Sequence, residues 1–126
     1  MADPRRARGV AGEEAAAGLL IDLGFEVLNR NFRTRYGELD IVALDGNCLV
    51  FCEVRARVGR PSAGIASALE SVGPGKRMQL RKMAREWFRL ADRPPIHTRG
   101  TRFDVVAVAM TVTGRVLATR HVQDAF

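Results

Sequence analysis

Three charged side chains interrupt an otherwise apolar pair of predicted strands. In the stretch GELDIVALDGNCLVFCEVR, residues 37–55, Asp40, Glu53 and Arg55 stand where core residues belong. Strand alternation puts Glu38, Asp40, Val42 and Leu44 on one face of the first strand, and Leu49, Phe51, Glu53, Arg55 and Arg57 on one face of the second. A two-residue turn at Asp45-Gly46 sets Asp40 opposite Phe51 and diagonal to Glu53. A four-residue loop at 45–48 sets Asp40 directly opposite Glu53. Either register leaves two carboxylates within reach of one ion. Such neighbours repel, and the repulsion is relieved by a shared proton, by cations or by a metal. Hard oxygen ligands with room left for water suit Mg²⁺ or Mn²⁺. With a cation two residues beyond Glu53, the set has the parts of a phosphodiester-hydrolysis site: an acidic cradle, activated water and a positive charge. The plainer alternative is a hairpin whose acids pair with Arg55 and Arg57.

Two residues outside the hairpin join this set. Glu13 falls in line with Ala16, Ala17 and Leu20 on the inward stripe of a predicted helix, where a carboxylate is costly without a partner. Lys76 opens the inward stripe of a second predicted helix, four residues before Leu80. Each has an ordinary explanation: a first-turn acid favoured by the helix dipole, and a snorkelling lysine. Their convergence with the hairpin residues favours a site.

The elements that must position these groups are legible in the periodicity. A helix is predicted from about Val10 to Leu23, stopped by Gly24. Strands follow at 25–32, 38–44 and 49–56. Residues 57–75 read as a Gly- and Pro-punctuated connection, with a short ordered piece at 65–72. A second helix runs over 74–91, with Leu80, Met83, Ala84, Trp87 and Ala91 as its apolar stripe, and Arg93-Pro94-Pro95 breaks it. Strands at 103–110 and 116–122 complete the order α-β-β-β-α-β-β. This is an α/β chain in the broad sense, α+β, with one mixed sheet flanked by helices. Residues 1–8 read as a basic N-terminal arm, or the frayed start of a helix, and 9–126 as a single domain.

The chain has 126 residues, enough for one core. Lys and Arg number 20 against 14 Asp and Glu, a net charge of +6, which favours a polyanionic partner, nucleic acid first. Arg57, Arg60, Arg77 and Arg81 are the candidate backbone contacts, and the scarcity of aromatics argues for backbone or shape recognition rather than base stacking. Cys48 and Cys52, four apart on a strand, lie about 13 Å apart, too far for a disulfide. His97 and His121 lack partners at metal-ligand spacing, Trp87 reads as core, and Asp104 reads as a partner for Arg102. No apolar run is long enough to span a bilayer and no signal-peptide block follows the basic start, so a cytoplasmic protein without a membrane partner is expected.

Asp40 followed by Glu53-Val54-Arg55, in this order of elements, resembles the PD-(D/E)XK nuclease superfamily. More closely, the chain resembles the YraN family of small bacterial predicted endonucleases. The matching pieces are Gly12-Glu13, Asn31-Phe32-Arg33, residues 37–43, residues 49–55 with Arg57, Lys76, residues 102–106 and Ala125-Phe126, which together cover essentially the whole chain. The resemblance implies a restriction-endonuclease-like core. It implies that Asp40 and Glu53 hold a divalent metal with the Val54 carbonyl, and that Glu13 reaches the metal or its water. Arg55 takes the place of the lysine beside the scissile phosphate. Likeness to Holliday junction resolvases implies branched DNA and a homodimer, since two strands are cut symmetrically. Arginine stays protonated and cannot act as a base. A nucleic-acid-binding module that kept the fold and lost the chemistry is therefore the second reading.

Overall fold

The computed structural model describes residues 3–91 and 98–126; Arg93-Pro94-Pro95 and His97 lie outside the described residues. The first helix, α1, is Pro4–Asp22. It starts earlier than the periodicity predicts, so most of the expected arm is helical. The reason is local: Asp3 caps it, its side chain accepting the Arg5 N–H at 3.0 Å, and Pro4 stands at the first turn, where its missing N–H costs nothing. Gly24, at φ +90°, ends the helix.

Three strands follow: β1 (Glu26–Thr34), β2 (Gly37–Asp45) and β3 (Cys48–Val58). Two helices then cross back, α2 (Pro61–Glu70) and α3 (Pro74–Leu90), before β4 (Gly100–Met110) and β5 (Val116–Val122). The predicted order lacked α2, where only a short ordered piece within a connection was expected. Its stretch PSAGIASALE carries few large apolar residues and no side-chain cap. The helix is held instead by close packing. Gly64 lies so near β4 that a Cβ there would come within 2.7 Å of the Ala109 Cβ.

The five strands form one sheet in the order β1-β2-β3-β4-β5. All neighbours are antiparallel except β3 and β4, which are parallel because the α2–α3 crossover joins them. This is the mixed sheet flanked by helices that the sequence predicts. On one face α1 lays Ala16, Ala17 and Leu20 against Ile41, Ala43, Val50, Cys52, Val106 and Val108. On the other, α3 lays Leu80, Met83, Ala84 and Trp87 against Leu39, Val42, Leu49 and Phe51. Among the described residues no helix is long and apolar enough to cross a membrane.

The β2–β3 turn corrects the sequence reading. It is Gly46-Asn47, with Asp45 paired to Cys48. Gly46 takes φ +58° while Asn47 does not take positive φ, the pattern of a type II′ rather than a type I′ turn. The register pairs Ile41 with Cys52. One further step places Asp40 level with Glu53, as the longer of the two predicted loops would have done.

Candidate metal and phosphate site

The site forms where two strands part. The β2–β3 ladder ends at Ile41 and Cys52, after which β2 stays with β1 as far as Gly37 and β3 stays with β4 as far as Val58. Asp40 and Glu53 stand at this fork. Where the ladder stops, the Val54 N–H donates to Asp40 Oδ2 at 2.9 Å, so the carboxylate replaces the missing backbone acceptor.

Strand alternation fails at the same point. Leu39 packs under α3 and Ile41 under α1, although residues two apart should share a face. On β1 the residue level with Asp40 is Asn31, which takes φ +52°. Asparagine tolerates this left-handed conformation better than most residues. The irregularity lets Asp40 reach both faces. Its carboxylate meets Glu53 on the α3 side and lies within 4.8 Å of Glu13 and Glu38 on the α1 side. The simple alternation that put Glu38, Asp40 and Val42 together is thereby corrected.

Gly12 brings Glu13 close. A Cβ on Gly12 would lie 3.0 Å from the Ala56 Cβ, so glycine lets α1 settle onto β3 one residue before the acid. Asn31 then ties the helix to the sheet. With its amide nitrogen turned toward the acids, it donates to Glu38 Oε1 at 2.9 Å and to Glu13 Oε2 at 3.1 Å. Burial raises the Glu13 pKa, the Asn31 hydrogen bond opposes that, and the Glu38 charge adds to the rise.

Glu53 is 4% exposed, and the cations reach it from two directions. Lys76 Nζ, from the first turn of α3, lies 3.0 Å from Glu53 Oε2, and Arg55 Nη2 lies 3.6 Å from the same oxygen. Neither cation has hydrogen-bond geometry toward that oxygen, and Arg55 Nε is likewise buried without a partner. Asp40 is pushed up to about 8, first by burial, then by the hydrogen bond and charge of Glu53. Without another cation Asp40 therefore keeps its proton at neutral pH.

These groups open into one cleft of about 460 Å³ lined by Glu13, Asp40, Glu53, Val54, Arg55, Arg57 and Lys76. Arg5 and Arg8 also line it. The sequence reading gave them to an arm, and only the early start of α1 aims them here. Glu38, which alternation set on the same strand face as Asp40, lies within 4.8 Å of both Glu13 and Asp40. The donor set fits a hard divalent ion: several carboxylates, one buried carboxylate oxygen without a hydrogen-bond donor, and a proton held where a cation would relieve the charge. Asp40 and Glu53 would hold it, while Glu13 and Glu38, whose ligand atoms lie within 4.8 Å of that of Asp40, stand in reach of the ion or its water.

The other candidates scatter. Arg60 is exposed at the start of α2, while Arg77 and Arg81 lean over the Phe126 ring on the far flank of α3. Arg77 Nε also donates to the Val72 carbonyl at 3.2 Å. Asp104 is fully buried, accepting from Arg102 Nε at 2.8 Å and pairing with His121 Nε2 at 2.7 Å. Trp87 is buried and donates to Asn29 Oδ1 at 2.8 Å.

Comparison with known proteins gives a consistent result. The family model described as "Uncharacterised protein family UPF0102" matches residues 12–108. A UPF0102 protein of Rhodococcus opacus (strain B4) is 42% identical over 120 residues, covering 95% of this chain and 96% of that protein. One from Streptomyces griseus subsp. griseus is 44% identical over 110 residues, covering 87% and 88% respectively. One from Pelotomaculum thermopropionicum is 44% identical over 126 residues, covering all of both chains.

Proposed function

The chain belongs to the UPF0102 family, which is the YraN family of the sequence resemblance, and we propose that it is a metal-dependent endonuclease acting on DNA. The observation that carries this reading is the carboxylate pair at the fork of β2 and β3. Asp40 and Glu53 are buried together, one holding a proton near neutrality and the other presenting an oxygen without a donor, at the floor of a cleft walled by cations. A fold gains little stability from such a pair, since burying mutually repelling acids is costly.

A bound Mg²⁺ or Mn²⁺ supplies Lewis acidity toward a phosphoryl oxygen and acidifies water. The protein does the rest. Asp40 and Glu53 form the cradle. Arg5, Arg8 and Arg57 hold the phosphate backbone, and Arg55 and Lys76 offset charge developing at the scissile phosphate. Glu13, whose pKa burial has raised, is suited to accept the proton of the attacking water. The phosphorus–oxygen bond to the leaving nucleotide breaks, and the leaving oxygen takes a proton from solvent.

The arginine at position 55 is less of an obstacle in the fold than in the sequence. A lysine does stand beside Glu53, delivered by α3, and it lies closer than Arg55 does. This arrangement supports chemistry over the binding-only reading. The test is cleavage of four-way-junction, flap, single- and double-stranded DNA with Mg²⁺ and then Mn²⁺. It compares the parent with Glu53→Ala, Lys76→Ala and Arg55→Lys. The parent is expected to cut, Glu53→Ala not to cut, and Lys76→Ala to lose more activity than Arg55→Lys. DNA binding without cleavage by any of the four would leave the binding module as the function.

A further inference from the structure

We propose that the tip of the β1–β2 hairpin and the adjoining flank of α3 form a second phosphate-backbone contact surface for nucleic acid, outside the cleft. This rests on the nucleic-acid reading above. The tip is fixed on the helix. Gln79 Nε2 donates to the Tyr36 carbonyl, and Gly37, at φ +133°, packs so tightly that a Cβ would lie 2.9 Å from Gln79 Nε2 and 3.3 Å from Met83 Sδ.

Cations gather on this platform. Arg35 lies 4.9 Å and Lys82 5.8 Å from the centroid of the half-exposed Tyr36 ring. Glu86 pairs with Arg35 at 3.1 Å and with Arg89 at 2.8 Å. The two arginines cover its carboxylate, leaving the side chain 7% exposed although it stands at the protein surface. Arg35, Tyr36, Lys82, Arg85 and Glu86 line a shallow concavity of about 200 Å³. Arg33, two residues before Arg35 on the same hairpin, is 87% exposed and pairs with Glu38 at 3.8 Å.

Exposed ion pairs contribute little stability, so folding gives a weak reason to assemble these basic residues around one covered acid. Cations already seated on an aromatic ring and a carboxylate lose less freedom on meeting an anion. Lys82 and Arg85 stand about 9 and 13.5 Å along α3 from Lys76 and about 120° and 180° around it, so they form part of the outer face of the helix, where a duplex passing over α3 would meet them. Arg77 and Arg81, by contrast, are turned onto the Phe126 ring.

The test is fluorescence anisotropy of a labelled 20-bp duplex and a four-way junction against the full chain, with Ca²⁺ in place of Mg²⁺, across a salt series. The variant Lys82→Ala/Arg85→Ala leaves the ion pairs of Glu86 intact, and Arg35→Ala is tested beside it. The control, Arg115→Ala/Arg120→Ala, removes the same charge beside and within β5, at the opposite sheet edge. The double patch variant is expected to flatten the plot of log affinity against log salt by about 1.8, at roughly 0.9 per lost contact. Arg35→Ala is expected to flatten it by about 0.9, and the control to leave it unchanged. Patch variants that superimpose on the control overturn the proposal. If the parent still cuts DNA, this proposal alone falls; if the parent neither binds nor cuts, the nuclease reading falls with it.

Discussion

Replacing Asp40 with Asn should stabilise the metal-free protein while abolishing metal binding. The Asp40 carboxyl is pushed up to about 8 from an ordinary 3.8, by burial first and then by Glu53. At pH 7 the folded chain keeps a proton that the unfolded chain has released. Roughly three pH units separate the ordinary value from pH 7, each worth about 1.4 kcal/mol, so this costs about 4 kcal/mol. The cleft opens to water, and screening there brings the expected figure to about 2–3 kcal/mol. Asparagine can still accept the Val54 N–H and can donate to Glu53 without holding a titrating proton. The stability that the raised pKa confers is complete below about pH 4 and is lost as pH climbs through about 8. The advantage of Asp40→Asn should therefore be small near pH 4, grow through the neutral range and level off above pH 8. For a chain of this length the gain corresponds to a melting temperature higher by on the order of 10 °C. The assay is thermal unfolding by circular dichroism in EDTA across that range, repeated in millimolar Mn²⁺. Metal that binds only the folded parent should close or reverse the gap. A variant that melts below the parent at pH 7.5 in EDTA, or a gap that ignores pH, would refute the reasoning.

Asn31→Gly keeps the left-handed backbone and removes only the amide that spans Glu13 and Glu38. Mn²⁺ affinity by calorimetry should fall about tenfold, as for other groups that orient ligands, and unchanged affinity would deny Asn31 that role. Gly64→Ala should destabilise by about 1–3 kcal/mol, because α2 must retreat from Ala109; chemical denaturation checks this, and an unchanged midpoint would show that the contact yields freely. Asp104→Ala should cost about 3–5 kcal/mol, since Arg102 is left partly buried without its main partner. The same denaturation series measures it, and a loss under 1 kcal/mol would mean that Asp45 suffices for that arginine.

Amino-acid sequence alone determined the layer architecture of this protein. The apolar runs of β2, β3 and β4 mark strands covered on both faces, and the stripes of α1 and α3 declare which helix surface must leave water. Those preferences are local and survive packing. Asp40, Glu53 and Lys76 were legible for the same reason, as charges out of place in apolar patterns. α2 was not, because its small residues carry almost no periodic signal and its stability comes from contact with β4.

Tertiary structure alone decided how the site is joined. Alternation put Glu38 near Asp40, but nothing in the spacing announced that a broken alternation would bring both it and Asn31 to Glu13. Arg5 and Arg8 entered the cleft only because Asp3 and Pro4 start α1 early. Lys76 came to stand closer to Glu53 than Arg55 does, although 23 positions separate it from that acid in the chain. Sequence reports which groups are costly to bury. Which of them meet depends on where two strands part and how closely a helix can approach, and those distances are set by packing across the whole sheet.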